Sequence, residues 1–148
     1  MSVVGNAEGR YEDAWIAALG QNADVSWAVR HWDDATNAKL LPAVLVYCSS
    51  VLDATSGTPD GYDIAIVEIQ CRTQKDADKN KAVVEAMIGA VRDTMRSASI
   101  LSWLEGGGGL DIYNVIQDEP SFVSDEGNLR IRSLTVQTYG TQVNLPPP

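Results

Sequence analysis

A chain of 148 residues that is 45% hydrophobic and 21% charged is long enough to bury one core and too apolar for global disorder. Its formal charge of -9 is the opposite of the clustered Lys and Arg that hold phosphates, which argues against tight DNA or RNA binding but not against an acidic wall that DNA slides past. The opening MSVVGNAEGR has no basic, apolar leader pattern, and no apolar run reaches the ~18 residues of a membrane-spanning helix, so a protein made and kept in the cytoplasm, or in something assembled there, without membrane contact is expected.

Residues 1–10 are polar and glycine-containing and read as a flexible N-terminus. Tyr11, Trp15, Ile16 and Leu19 then recur at helical spacing and predict a short amphipathic helix that stops at Gly20. Val25, Trp27 and Val29 alternate, which favours a short strand or extended edge within residues 24–32, and residues 33–40 form a polar loop.

Residues 41–51 (LPAVLVYCSSV) read as a strand, with Pro42 at its start and the β-formers Val44, Leu45, Val46 and Tyr47 inside it. A turn-rich loop, DATSGTPDG, closes at Asp60-Gly61 and leads into a second strand over residues 63–73. One face of that strand carries Ala65, Val67, Ile69 and Cys71 and belongs in a core. The other carries Ile64, Ile66, Glu68, Gln70 and Arg72; it begins apolar and turns polar, as suits a partly buried or subunit-facing surface. The two strands predict a long hairpin with a protruding loop. The two cysteines, Cys48 and Cys71, fall inside these strands; they are buried thiols, or a disulfide if the strands pair with those positions opposite.

Thr73 and Asp76 have the spacing of a capping box with Asp in place of Glu, so a long helix is expected from there to about Arg96. Val84, Ile88, Val91 and Met95 share its apolar face, which would lie across the sheet, and Arg92 and Arg96 suit the negative end of its dipole. Gly106 to Gly109 act as a flexible joint after SILSWLE. Residues 110–117 read as a third strand, 118–128 as an acidic loop with an exposed Phe122 and Val123, and 129–139 as a fourth strand. The apolar phase of that last strand shifts from Leu129 and Ile131 to Leu134 and Val136, which calls for a β-bulge near Ser133. The tail 142–148 is extended and proline-rich. The expected architecture is a single α+β domain over residues 11–141. Its sheet is mostly antiparallel with four to five strands, one long helix packs on one face, and a short helix lies at the N-terminus. Arg72, Lys75, Lys79, Lys81, Arg92 and Arg96 gather the bases, whereas residues 40–71 and 97–129 carry acids only. This pattern is either ordinary solubilising charge or an acidic sheet side facing away from a mixed helix side.

Chemistry-bearing patterns are scarce. His31 is the only histidine, so neither a nucleophile triad nor a multi-His metal site is available, and a structural or surface role is expected for it. The four glycines are followed by Leu110, Asp111 and Ile112, a strand, and not by the Lys and hydroxyl residue that open a phosphate-binding helix. Asp76, Asp78 and Asn80 begin like a calcium loop, but Lys81 stands where Gly must turn and Met87 where a bidentate Glu is required. The acid pairs Asp33-Asp34, Asp118-Glu119 and Asp125-Glu126 are loop-borne, unlike hydrolytic carboxylates on rigid strand ends. No catalytic residue, metal ligand or cofactor is assigned. The four tryptophans, Trp15, Trp27, Trp32 and Trp103, serve core packing, with subunit contact as a second use.

In this order the segments LPAVLVY, YDIAIVEIQCRTQKDADKNKAVVEAMIGAVRDTM and DEPSFVSDEGNLRIRSLTVQTYG resemble the tail terminator and tail completion proteins of tailed phages, over about residues 11 to 141. The positions that carry the likeness are Pro42, Arg72, the Ala-rich helix after it and Tyr139. The resemblance implies a hexameric ring that caps the tail tube at its head-proximal end, ends tube polymerisation and receives the neck connector or stopper protein. DNA would pass through the lumen without specific binding. Expected contacts with the next subunit, the tube protein and the neck lie at Asp53, Thr58, Asp60, Tyr62, Ile64, Ile66 and Glu68. A second set lies at Asp118, Glu119, Phe122, Asp125 and Glu126, the loops at 53–62 and 118–128 being the hairpin tips. Rival readings are another neck component, such as a head-completion or stopper protein, and a small ligand-binding α+β domain with a deep closed pocket. An enzyme would have to work with Asp, Tyr or Cys and no His.

Overall fold

The structure, a computed structural model, describes residues 7–33, 41–53, 62–106 and 109–142. In chain order the elements are α1 (Ala7–Gln21), β1 (Ala28–His31), β2 (Ala43–Asp53), β3 (Asp63–Gln74), a 3-10 turn (Lys75–Ala77), α2 (Ala82–Arg96), α3 (Ile100–Glu105), β4 (Leu110–Gln117), β5 (Ser124–Glu126) and β6 (Leu129–Gln142).

The fold is α+β, with a mixed, mostly antiparallel sheet of six strands and three helices. The alternating, β-branched sequence of β3 builds the centre of the sheet. Ala65, Val67, Ile69, Cys71 and Thr73 are buried, and Ile64, Ile66, Glu68, Gln70 and Arg72 between them are half-buried. β2 pairs with β3 from Ala43 opposite Arg72 to Asp53 opposite Asp63. On its other side β3 pairs with β6 along its whole length, from Asp63 opposite Gly140 to Gln74 opposite Leu129. β4 pairs with the second half of β6 and β5 with its start. β1 joins β2 in parallel, which gives the order β1-β2-β3-β6-β4 with β5 beside β6.

One apolar cluster joins the inward residues of the sheet to all three helices. It includes Tyr11, Trp15 and Leu19 of α1, Val84, Met87 and Val91 of α2, Ile100 and Leu104 of α3, and Val44, Val67, Ile69 and Val136 of the strands. The buried Trp15 ring seats itself with one polar bond, Nε1 donating to Thr138 Oγ1 at 2.9 Å. Gly140 permits β4 to approach β6, because a Cβ there would lie 2.5 Å from the Asp111 carbonyl oxygen. Outside the cluster, His31 fastens β1 to α1: Nδ1 lies 3.2 Å from Glu12 and Nε2 3.0 Å from Asp13.

Several expectations need correction. The N-terminal helix is not short and does not start at Tyr11; it has 15 residues and begins at Ala7, with Glu8 in its first turn favouring the positive end of the dipole. The sheet has six strands where four to five were expected, because β5 forms within the supposed acidic loop. SILSWLE is not a plain lead into a joint; it contains α3.

The capping box at Thr73 and Asp76 is not formed. β3 continues to Gln74 and α2 begins only at Ala82. The cap is Asp78, whose carboxylate accepts from the backbone N–H of Val83 at 2.9 Å and Val84 at 3.1 Å and from the Thr73 hydroxyl at 3.1 Å. The left-handed Lys81, φ 61°, turns the chain between cap and helix.

No bulge occurs at Ser133, which lies in unbroken register opposite Gln70. The apolar phase shifts because Arg130 and Arg132 take the inward positions opposite Thr73 and Cys71, which leaves Leu129 and Ile131 on the other face. The Arg130 guanidinium pairs with Asp125, Nε to Oδ1 2.9 Å, and also donates to the Asp78 carbonyl. The irregularities lie in β2 between Cys48 and Ser50 and in β4 between Ile112 and Asn114. Cys48 faces Val67 and Cys71 faces Val44, so the two thiols are displaced along the hairpin and both are free.

Candidate interaction surface

The strand residues that alternate with the core set make a second face. Two cross-strand rows at one end of it carry five apolar or aromatic side chains among eight. The first runs Leu52, Ile64, Tyr139, Asn114; the second runs Ser50, Ile66, Gln137, Ile116. Tyr62 packs on Tyr139 with ring centroids 6.3 Å apart. None of Leu52, Tyr62, Ile64, Ile66, Ile116 and Tyr139 belongs to the core cluster, and Leu52 and Ile116 remain 53% and 45% exposed. Among the described residues Leu52 and Ile116 here, and Trp32 and Tyr47 at the other end of the face, are large apolar side chains that meet solvent.

The other end of the same face mixes polar and aromatic side chains and is ordered by side-chain bonds along β3. Arg72 Nε donates to Gln70 Oε1 at 3.0 Å, and Gln70 Nε2 donates to Glu68 Oε2 at 3.3 Å. The Arg72 guanidinium also lies 4.7 Å from the centroid of the Trp32 ring, which in turn meets Tyr47 at 5.6 Å. Partial burial lowers the Arg72 pKa, with Glu126 and Glu68 acting against it, and the group stays cationic.

Of the residues singled out from the sequence, Tyr62, Ile64, Ile66 and Glu68 are brought together on this face. Asp53 ends β2 opposite Asp63. Thr58 and Asp60, with most of the 53–62 tip, lie outside the described residues. The segment 118–128 is not a protruding hairpin tip. Asp118 N donates to Thr135 O at 2.9 Å and Ser121 N to Ser133 O at 2.8 Å, so it lies along the edge of β6 before entering β5. Within it Asp125 is tied to Arg130 and, at 3.8 Å, to Lys75. Glu126 is exposed opposite Leu129, and Phe122 is 94% exposed. The start of this segment, Asp118, follows directly on the Ile116 end of β4, whereas Asp125 and Glu126 lie further along β6. The supposed acidic sheet side is broken here by Lys75 and Arg130. Sequence reasoning missed Leu52 and Ile116, because a bulge in each strand displaces their alternation, and Tyr47; it named Trp32 for subunit contact but could not place it beside Arg72 and Tyr47, which come from other strands.

Among the described residues the two thiols and one phenol are buried. Burial first, then Glu12 and Glu8, pushes the Cys48 thiol up to about 12. Burial does the same to Cys71, also to about 12, so neither is a thiolate nucleophile near neutrality. Burial and the adjacent Asp63 carboxylate raise the Tyr11 phenol further. Among the described residues no three His, Cys, Asp or Glu side chains are arranged to hold a metal. A cleft of about 280 Å³ between Lys75, Asp76, Lys79, Asn128 and Arg130 is lined by charged and polar groups. No described helix is long and apolar enough to cross a membrane.

No protein-family model matches the chain. A search among curated proteins gives no match either.

Proposed function

We propose that this chain is a non-enzymatic structural subunit of a bacteriophage virion, a tail-terminator-like protein that forms a hexameric ring at the head-proximal end of the tail. In this reading the ring stops growth of the tail tube and offers its outer surface to the neck connector. α2, equal in length to α1, is in this reading the helix that lies across the inner face of the sheet, and the second face is left for neighbours. The observation that carries the proposal is the apolar end of that face, where Ile64, Ile66 and Tyr139 stand outside the core cluster. A neighbouring subunit covering it gains apolar burial at a site already shaped by strand pairing. The charge of -9 suits a lumen through which DNA moves without sticking. The same likeness extends to other neck proteins, and the tube distinguishes them: a terminator binds the tail tube end.

The test is native mass measurement and negative-stain imaging of the purified chain with and without tail tubes. Rings on one end of tubes of fixed length support the proposal. A monomer that leaves tubes unchanged refutes it.

A further inference from the structure

We infer that adjacent copies of this chain join edge to edge, Phe122 with the carboxylates of Asp118 and Glu119 on one copy entering the Trp32–Tyr47–Arg72 cluster of the next. The inference rests on the ring reading and adds a second contact between neighbours to the covered face at Ile64, Ile66 and Tyr139.

Phe122 is 94% exposed, yet the backbone beneath it is fixed. Ser121 N donates to Ser133 O at 2.8 Å, Ser133 N donates to Ser121 Oγ at 3.0 Å, and Arg132 Nε donates to Ser121 O at 3.0 Å. On the other side Val123 packs against the core cluster. A ring held out on ordered backbone forfeits little further freedom when it docks, which is the property of a preorganised anchor.

The flanking charge points to the occupant. Asp118 and Glu119 are exposed, the sequence offers no base between Arg96 and Arg130, and no described basic side chain lies within ion-pair distance of either acid. At the opposite edge of the sheet, Trp32 and Tyr47 are 38% and 39% exposed, with Arg72 over the Trp32 ring. Arg30 is on the same face, because it pairs with Leu45, which in turn pairs with Gln70. One edge therefore presents an aromatic ring among acids, and the face toward the other edge presents two aromatic rings with Arg72 and Arg30, where Glu68 opposite Tyr47 offsets part of the positive charge. Aromatic and arginine side chains are the groups that concentrate binding energy at interface centres.

Within one molecule Phe122 is kept from Trp32, because the strand order places β2, β3 and β6 between the end of β1 and the 118–122 segment, about four strand spacings or roughly 19 Å; Tyr47 on β2 and Arg72 on β3 stand about three and two spacings from it. A contact between two different edges is head-to-tail, and repeated head-to-tail contacts close into a ring or run on as a filament.

The test uses the full chain with Phe122→Cys and Tyr47→Cys together, assembled on tail tubes and treated with a short thiol-to-thiol crosslinker. Cys48 and Cys71 are buried and serve as silent background. A denaturing gel is expected to show a ladder of covalent multimers that neither single variant gives, weaker in high salt. Phe122→Ala is expected to weaken assembly by at least about tenfold without changing the melting temperature. Rings without the ladder, or a Phe122→Cys crosslink to the tube protein instead, overturn this contact and leave the ring reading standing. A ladder formed without rings on tubes supports the contact and overturns the ring reading. Neither ladder nor rings defeats both.

Discussion

Arg130 and Asp125 meet across the β5–β6 turn, Nε to Oδ1 at 2.9 Å, and the same guanidinium donates to the backbone carbonyl of Asp78. One side chain thus joins β5, β6 and the turn that caps α2. The hydrogen bond from Arg130, ahead of the attraction of its charge, holds the Asp125 carboxyl below the usual carboxylate range.

A carboxyl depressed in the folded state adds stability that is complete above its unfolded pKa, about 3.9, and is lost as pH falls through the folded value. The urea midpoint is therefore expected to drop between about pH 4 and the lower, folded value. Arg130→Gln should lower the midpoint at neutral pH and flatten that acid-side drop. Equal pH slopes in the two proteins would show that the pair contributes nothing.

Asp78 is buried and its two carboxylate oxygens accept three hydrogen bonds. Asp78→Ala is expected to cost about 1–2 kcal/mol, the range of a lost helix cap, and to fray the start of α2. Urea unfolding followed by circular dichroism measures the first effect, and amide exchange at Val83 and Val84 the second. Asp78→Asn, which retains an acceptor, should restore part of the stability.

Trp15→Phe removes the indole donor from Thr138 Oγ1 inside the core. Leaving that hydroxyl unpaired is expected to cost about 1–3 kcal/mol. Thr138→Val in the Trp15→Phe background should recover part of it, because the orphaned hydroxyl is then gone. A double-mutant cycle in denaturant reads the coupling; strictly additive changes would mean that the bond is energetically silent.

Both thiols are buried and raised to about 12. In the folded protein at pH 8 neither Cys48 nor Cys71 should react with iodoacetamide, and both should react in denaturant. Rapid alkylation under native conditions would show that the β2–β3 hairpin opens readily.

The hairpin of β2 and β3 was legible in the sequence because its signal is local: Val67, Ile69 and Cys71 alternate with Glu68, Gln70 and Arg72, and burial follows the same period. The half-apolar second face was legible for the same reason at Ile64 and Ile66. What escaped was decided by partners distant in the chain. Arg130 reads as a surface residue until Asp125 and the Asp78 carbonyl are brought to it. The start of α2 moved because Thr73 stays in β3, held opposite Arg130, so the cap falls to Asp78. The parallel pairing of β1 depends on a return path that no residue pattern announces. Trp32 joins the surface only because strand order places it beside Tyr47 and Arg72.

The claim that matters most is that the face bearing Ile64, Ile66 and Tyr139 is completed by another copy of the chain. Hydroxyl-radical footprinting read residue by residue, on the free protein and on protein bound to tail tubes, measures that cover directly. Strong loss of labelling at Tyr62, Ile64, Ile66 and Tyr139 on assembly, with Trp15 and Tyr11 unlabelled in both states, is the predicted result. Equal labelling of those four residues before and after assembly would contradict it.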